Sequence, residues 1–132
     1  MADRHVLDAA AVLCLLDDAP GANRVADVLD TASISSVSVA VVAAELTLRG
    51  AEPQEVSAIL RELHLDVVQF GFEQAVEAGT LGRRATEEGS TIERWACAAL
   101  TAKLGAVPVR GEIENIGSQE KASGQTNGQV RG

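Results

Sequence analysis

Arg4-His5-Val6-Leu7-Asp8-Ala9-Ala10-Ala11-Val12-Leu13 is the stretch whose reading decides the fold. His5 to Leu7 is a short apolar run that reads as a strand, and it stops at Asp8. An Ala/Leu-rich segment of helical character follows at once. The chain therefore places a carboxylate at the carboxyl end of a strand, beside the start of a helix. In open α/β sheets that edge is where ligands and catalytic groups collect. Asp8 has two readings: it N-caps the helix, for which Asp is among the favoured residues, or it is an acid placed for chemistry.

Working outward, Val12, Leu15 and Leu16 continue the helical spacing to Asp17 or Asp18. Pro20 suits the first turn of a second helix over 21–29, with Val25, Val28 and Leu29 on its buried face. A short strand is expected over Ala32–Ser35. Ser35 or Ser36 caps a helix over Val37–Arg49, and Gly50 ends it. Pro53 opens another helix, with Val56, Ile59, Leu60 and Leu63 at helical spacing. Within Leu65–Phe70, Val67-Val68 reads as a buried strand. A helix over Phe72–Glu88 is expected to be irregular around Gly79 and Gly82, with Arg83, Arg84, Glu87 and Glu88 solvated. Thr91 caps a further helix carrying Trp95, Ala96, Ala99, Leu100 and Leu104, which Gly105 stops. Ala106–Val109 is the last strand. Strands alternating with helical segments predict an α/β fold: three layers, α/β/α, around a parallel sheet of about four strands.

The length of 132 residues fits one domain with a reasonable core. Apolar residues make up 46% of the chain, yet aromatics only 2%, so the core is built of small aliphatics that let helices approach a sheet closely. Residues 1–116 read as the domain. From Gly117 onward Gly, Ser, Gln, Asn and Thr dominate, and 117–132 reads as a disordered polar tail unable to bury enough surface to order itself. No apolar run is long enough to cross a bilayer, and no secretory signal is expected at the start, so the default is a cytoplasmic protein without a membrane partner. Cys14 and Cys97 sit in apolar helical patterns without CxxC spacing and read as buried thiols. His5 and His64 lack ligand spacing. A net charge of -8 argues against a general nucleic-acid binder, though not against an enzyme that approaches a phosphodiester through metal ions.

There is no glycine-rich phosphate loop and no GxSxG elbow. What remains is carboxylates at strand ends: Asp8 after the first strand and Glu112 just after the last. In a parallel sheet both lie on one edge, where they could hold a hydrated Mg2+ or Mn2+, hard ions that favour oxygen ligands. The bland alternative for Glu112 is a solvated surface acid.

Several segments then carry a family resemblance. They are Val6-Leu7-Asp8-Ala9 with its Ala/Leu helix, the Pro20-Gly21-Ala22 helix opening, and Ile34-Ser35-Ser36-Val37 leading into an Ala/Val helix. Leu65-Asp66-Val67-Val68-Gln69-Phe70, Ala96-Cys97-Ala98-Ala99-Leu100 and Leu104-Gly105-Ala106 complete the set. In this order and spacing, over residues 4–116, the chain resembles a PIN domain, and within that fold the VapC-like toxin of a bacterial toxin–antitoxin pair. The resemblance implies a Mg2+-dependent endoribonuclease acting on RNA, an antitoxin partner and a homodimer.

It also implies acidic residues around the metal, and the match is uneven. Asp8 is present as the first. The second position falls on Val41; the third, counted back from Ala96-Cys97, falls on Arg94. The fourth falls on Glu112, a conservative change. A fixed cation at Arg94 would repel an ion and could pair with Asp8; at ~4 Å and an effective dielectric near 20 such a contact is on the order of 4 kcal/mol before desolvation. Glu45 and Glu93, neighbours of the lost positions, read first as surface acids in helices. The resemblance thus implies catalysis by Asp8 and Glu112 as metal ligands, impaired by Val41 and Arg94. The alternatives are an inactive PIN-fold binding module acting through antitoxin or subunit interfaces, and an unrelated α/β interaction domain. Trp95 has its own alternatives: packing on the sheet, a subunit interface, or base stacking. The Val37–Leu48 and Val56–Leu63 helices are apolar enough to leave surface for dimerisation or an antitoxin groove.

Overall fold

The computed structural model describes residues 3–86 and 91–111. The expected tail over 117–132, the end of the expected 1–116 domain, Glu87, Glu88 and Glu112 lie outside the described residues. Strand β1 (His5–Leu7) hands over at Asp8 to α1 (Ala9–Leu16). Helix α2 (Ala22–Asp27) and a single 3-10 turn (Leu29–Thr31) lead to β2 (Ala32–Ser35), and α3 (Ser36–Leu48) follows without a break. The rest is α4 (Pro53–Glu62), β3 (Asp66–Val68), α5 (Phe72–Thr86), α6 (Ile92–Leu104) and β4 (Val107–Val109).

The four strands pair in parallel in the order β3-β2-β1-β4. Val6 stands opposite both Ser33 and Pro108, and Ser33 opposite Asp66. Side chains alternate between two helical layers. Leu7, Ile34 and Val109 join Val12, Val25, Val42, Leu46 and Val56 in one core. Val6 and Pro108 face the other way, towards Ala98 and Ala102 of α6. Ala9, Ala11, Ala96 and Ala99 are fully buried, the small contacts that bring α1 and α6 close to the sheet. This is the expected α/β/α architecture.

Local chemistry sets the junctions. Asp8 Oδ1 accepts the Ala11 N–H at 2.8 Å, Ser35 Oγ accepts that of Val37 at 3.1 Å, and Thr91 Oγ1 accepts that of Arg94 at 3.1 Å. Each cap ends a strand or loop by satisfying a donor that the first helical turn leaves open. Helix α6 stops at Gly105, whose φ of +61° is the left-handed conformation glycine adopts freely. Pro108 sits in β4, an edge strand, and the ladder to β1 runs through Val107 N–H and Val109 C=O on either side of it. Beneath the sheet's opposite end, the buried Ser33 hydroxyl donates to Asp66 at 2.8 Å and accepts from Arg4 at 3.0 Å, tying three neighbouring strands together.

Some expectations are corrected. Val67-Val68 is not a buried strand: β3 is an edge, and Val67 is 49% exposed because its outer flank has no neighbour. Helix α5 runs through Gly79 and Gly82 without a break, since a glycine costs a helix stability and does not by itself interrupt its hydrogen bonds. Helix α4 leaves little apolar surface, because Ile59, Leu60 and Leu63 pack on the core. Helix α3 does leave apolar surface, at Val41 and at Leu48, which is 82% exposed, and α5 adds more, with Phe72 83% exposed and Val76 one turn on. No helix among the described residues is long and apolar enough to cross a membrane.

Candidate active site

The carboxyl edge of β1 is where helix starts converge. Asp8 leaves β1 and caps α1. From α6, Glu93 Oε2 reaches back to accept the N–H of Ala9, the first residue of α1, at 2.7 Å, and the hydroxyl of Ser38, in the first turn of α3, also at 2.7 Å. The Glu93 carboxylate thus lies against the amino-terminal turns of α1, α3 and its own helix, where the unpaired N–H groups favour negative charge. Gly111, just past β4, brings its N–H to 3.4 Å from Asp8 Oδ1. A Cβ there would stand 2.5 Å from the Ala10 carbonyl oxygen, so only glycine permits this approach.

Behind the acids lies Cys97, one turn beyond Glu93. Its Sγ is 3.4 Å from Ser38 Oγ and 4.0 Å from Glu93 Oε2. Burial is the largest cause pushing this thiol up to about 11; the Ser38 contact works against it, the charges of Glu93 and Asp8 add to it, and Arg110 opposes them. The protonated thiol therefore has its hydrogen available for Ser38, whose own hydrogen goes to Glu93. Cys14, on the far side of α1, is also raised, first by burial and then by Asp17. Both cysteines are free thiols, as expected, though Cys97 is only half-buried.

A cleft of about 480 Å³ opens over these groups, lined by Asp8, Glu93, Arg94, Cys97, Pro108 and Arg110 among others. Asp8 stands where the sequence placed it. Glu93 is not the surface acid expected from its neighbourhood; it is anchored in the site, and Arg94 beside it lines the same cleft. The count back from Ala96-Cys97 falls one residue beyond the acid that enters. The signal for Glu93 is its phase: it precedes the buried Ala96 and Leu100 by three and seven residues, on their helical stripe. Val41 is 39% exposed and does not line the cleft; Ser38, one turn earlier and fully buried, is the α3 residue that serves the site, by donating to Glu93 from behind. Glu45 behaves as a surface acid, bonded to Arg49 at 3.1 Å. Trp95 is half-buried, and its Nε1 is enclosed without a hydrogen-bond partner among the described residues.

No family model and no curated protein sequence matches the chain. A chain of the DNA-bound VapBC complex from Salmonella typhimurium superposes on it with a TM-score of 0.63 at 15% sequence identity, covering 98% of each chain. The fold is PIN-like. At that identity the likeness concerns the architecture.

Among the described residues, no group of three or more His, Cys, Asp or Glu gathers where it could hold a metal ion. The PIN-like scaffold does bring the oxygen donors Asp8 and Glu93 to one cleft. That donor type fits Mg2+, which is usually held through one or two carboxylates and keeps several waters.

Proposed function

We propose that this chain is a PIN-type phosphodiesterase acting on RNA, with Asp8 and Glu93 as the acids that hold a hydrated Mg2+ or Mn2+ and Glu112 as a further ligand. The observation carrying this reading is the Glu93 carboxylate fixed by Ala9 N–H and the Ser38 hydroxyl beside the start of α1, in the cleft that Asp8 also lines. Such an ion supplies an activated water and positive charge at the phosphodiester. The chain's own residues do the positioning. Asp8 is held by two backbone donors and Glu93 by one backbone donor and Ser38, so neither carboxylate has to be ordered when a ligand arrives. Ser38 in turn is backed by Cys97.

A second reading is favoured by Arg94 and Arg110 on the cleft wall, whose charge opposes a bound cation. In it the chain is a PIN-fold binding module without efficient catalysis. In either case an antitoxin-like protein and a second copy are proposed as partners, and the apolar side chains of Phe72 and Val76 on α5 and Leu48 on α3 offer them surface.

The deciding experiment is cleavage of a single-stranded RNA across a Mg2+ and Mn2+ titration. The nuclease reading expects cleavage that requires the ion, falls to background in Asp8→Asn and Glu93→Gln, and drops roughly tenfold to a hundredfold in Ser38→Ala, a residue acting through Glu93. A parent that cleaves nothing at any Mg2+ or Mn2+ concentration, yet gains activity with Arg94→Asp, would instead establish the binding module.

A further inference from the structure

We propose that Arg94 and Arg110 form a phosphate-gripping wall of the cleft, holding the backbone of single-stranded RNA beside Asp8 and Glu93. The choice of RNA as ligand rests on the reading above; the anion site itself rests on the arginines. Both are half-buried and both line the cleft. Other arginines have acidic partners: Arg4 meets Asp66 at 3.5 Å, and Arg49 meets Asp17 at 2.8 Å and Glu45 at 3.1 Å. Among the described residues, no ion pair or side-chain hydrogen bond engages Arg94 or Arg110. Their guanidinium donors are therefore open to a ligand that enters the cleft.

The chain carries a net charge of -8, and in this cleft two cations offset the carboxylates of Asp8 and Glu93. Guanidinium forks match phosphate oxygens in a planar, two-point geometry that a lysine cannot reproduce. The rest of the wall suits a nucleotide. Val6, Ala98 and Pro108 give an apolar floor, and the volume of about 480 Å³ lies in the range of small-ligand sites. An ion held by the acids would face the arginines as a like charge, whereas a phosphate set between them meets positive charge on both sides. Arg94, out of place in a site built only for metal, is in place in one built for the metal's substrate.

The test is fluorescence anisotropy of a labelled single-stranded RNA oligonucleotide with the full chain in EDTA, where neither cleavage nor an ion contributes. Arg94→Gln and Arg110→Gln should each weaken binding roughly tenfold and lower the salt slope of log K by about 0.7. Arg61→Gln, which removes the same charge from α4, should do neither. Thermal melts confirm that the variants are folded. No binding by the parent, equal binding by the arginine variants, or displacement by a poly-glutamate peptide as readily as by unlabelled RNA would each overturn the proposal. Arginine-dependent binding by a chain that never cleaves RNA would leave it standing and remove the nuclease reading. Ion-dependent cleavage by a parent whose RNA binding neither substitution weakens would do the reverse.

Discussion

Asp8 serves the fold and the site through one oxygen, because Oδ1 accepts both the Ala11 and the Gly111 N–H. The two roles separate experimentally. Asn caps helices about as well as Asp, so Asp8→Asn should change stability by no more than about 0.5 kcal/mol in urea denaturation while abolishing any ion-dependent cleavage. Gly111→Ala should fail in the opposite sense. Its new Cβ would press on the Ala10 carbonyl at 2.5 Å and on Ala11 N at 2.8 Å, both backbone atoms of a capped turn that cannot yield cheaply. A loss of about 1–3 kcal/mol is expected from the overpacking, read as a lower urea midpoint. At this scale Asp8 was legible in the sequence and Glu93 was not. Neighbouring residues in a helix point about 100° apart, so an error of one position exchanges an acid inside the cleft for a cation on its wall. Counting along a motif carries no rotational information; the buried stripe of Ala96, Ala99 and Leu100 does.

Among the elements, the junctions were the easiest to read. Asp8, Ser35, Thr91, Pro53 and Gly105 each mark a boundary by a local mechanism, and each boundary falls within a residue or so of where it was expected. What was misread depends on neighbours distant in sequence. Val67 and Val68 have strand chemistry, but only the sheet order makes β3 an edge. The α4 stripe could equally have faced a partner, and it is the core that claims it. Gly79 shows the limit of treating glycine as a stop. It lies inside α5, and a Cβ there would meet nothing within 4 Å. Gly79→Ala should therefore stabilise the protein by about 0.5–1 kcal/mol, measured as a higher urea midpoint without a changed slope.

For the molecule as a whole, stability should depend on alkaline pH through Cys97. Its thiol is raised from an ordinary 9.0 to about 11 in the folded chain. The unfolded chain thus loses this proton first as pH rises. The contribution is fully present below pH 9, declines above it and is gone once the folded thiol also titrates near 11. Urea midpoints taken across that window should fall for the parent and fall less for Cys97→Ala. Cys14 contributes in the same sense, because that thiol is also raised, so the comparison is made in a Cys14→Ala background; the absence of tyrosine removes the phenol that would otherwise titrate in the same range. A parent and Cys97→Ala with parallel profiles would refute the assignment. The joining of Glu93 to Ala9 and of Gly111 to Asp8 has another consequence, in time. These contacts span 84 and 103 positions, and β4, latest of the described strands in sequence, pairs with the first. Closing such long loops is slow and cannot precede synthesis of the later partner. While the ribosome is still making the chain, Asp8 has emerged without Glu93 or either cleft arginine. The acid pair therefore assembles only after the later helix and strand have been made, and the cleft is completed as β4 docks beside β1.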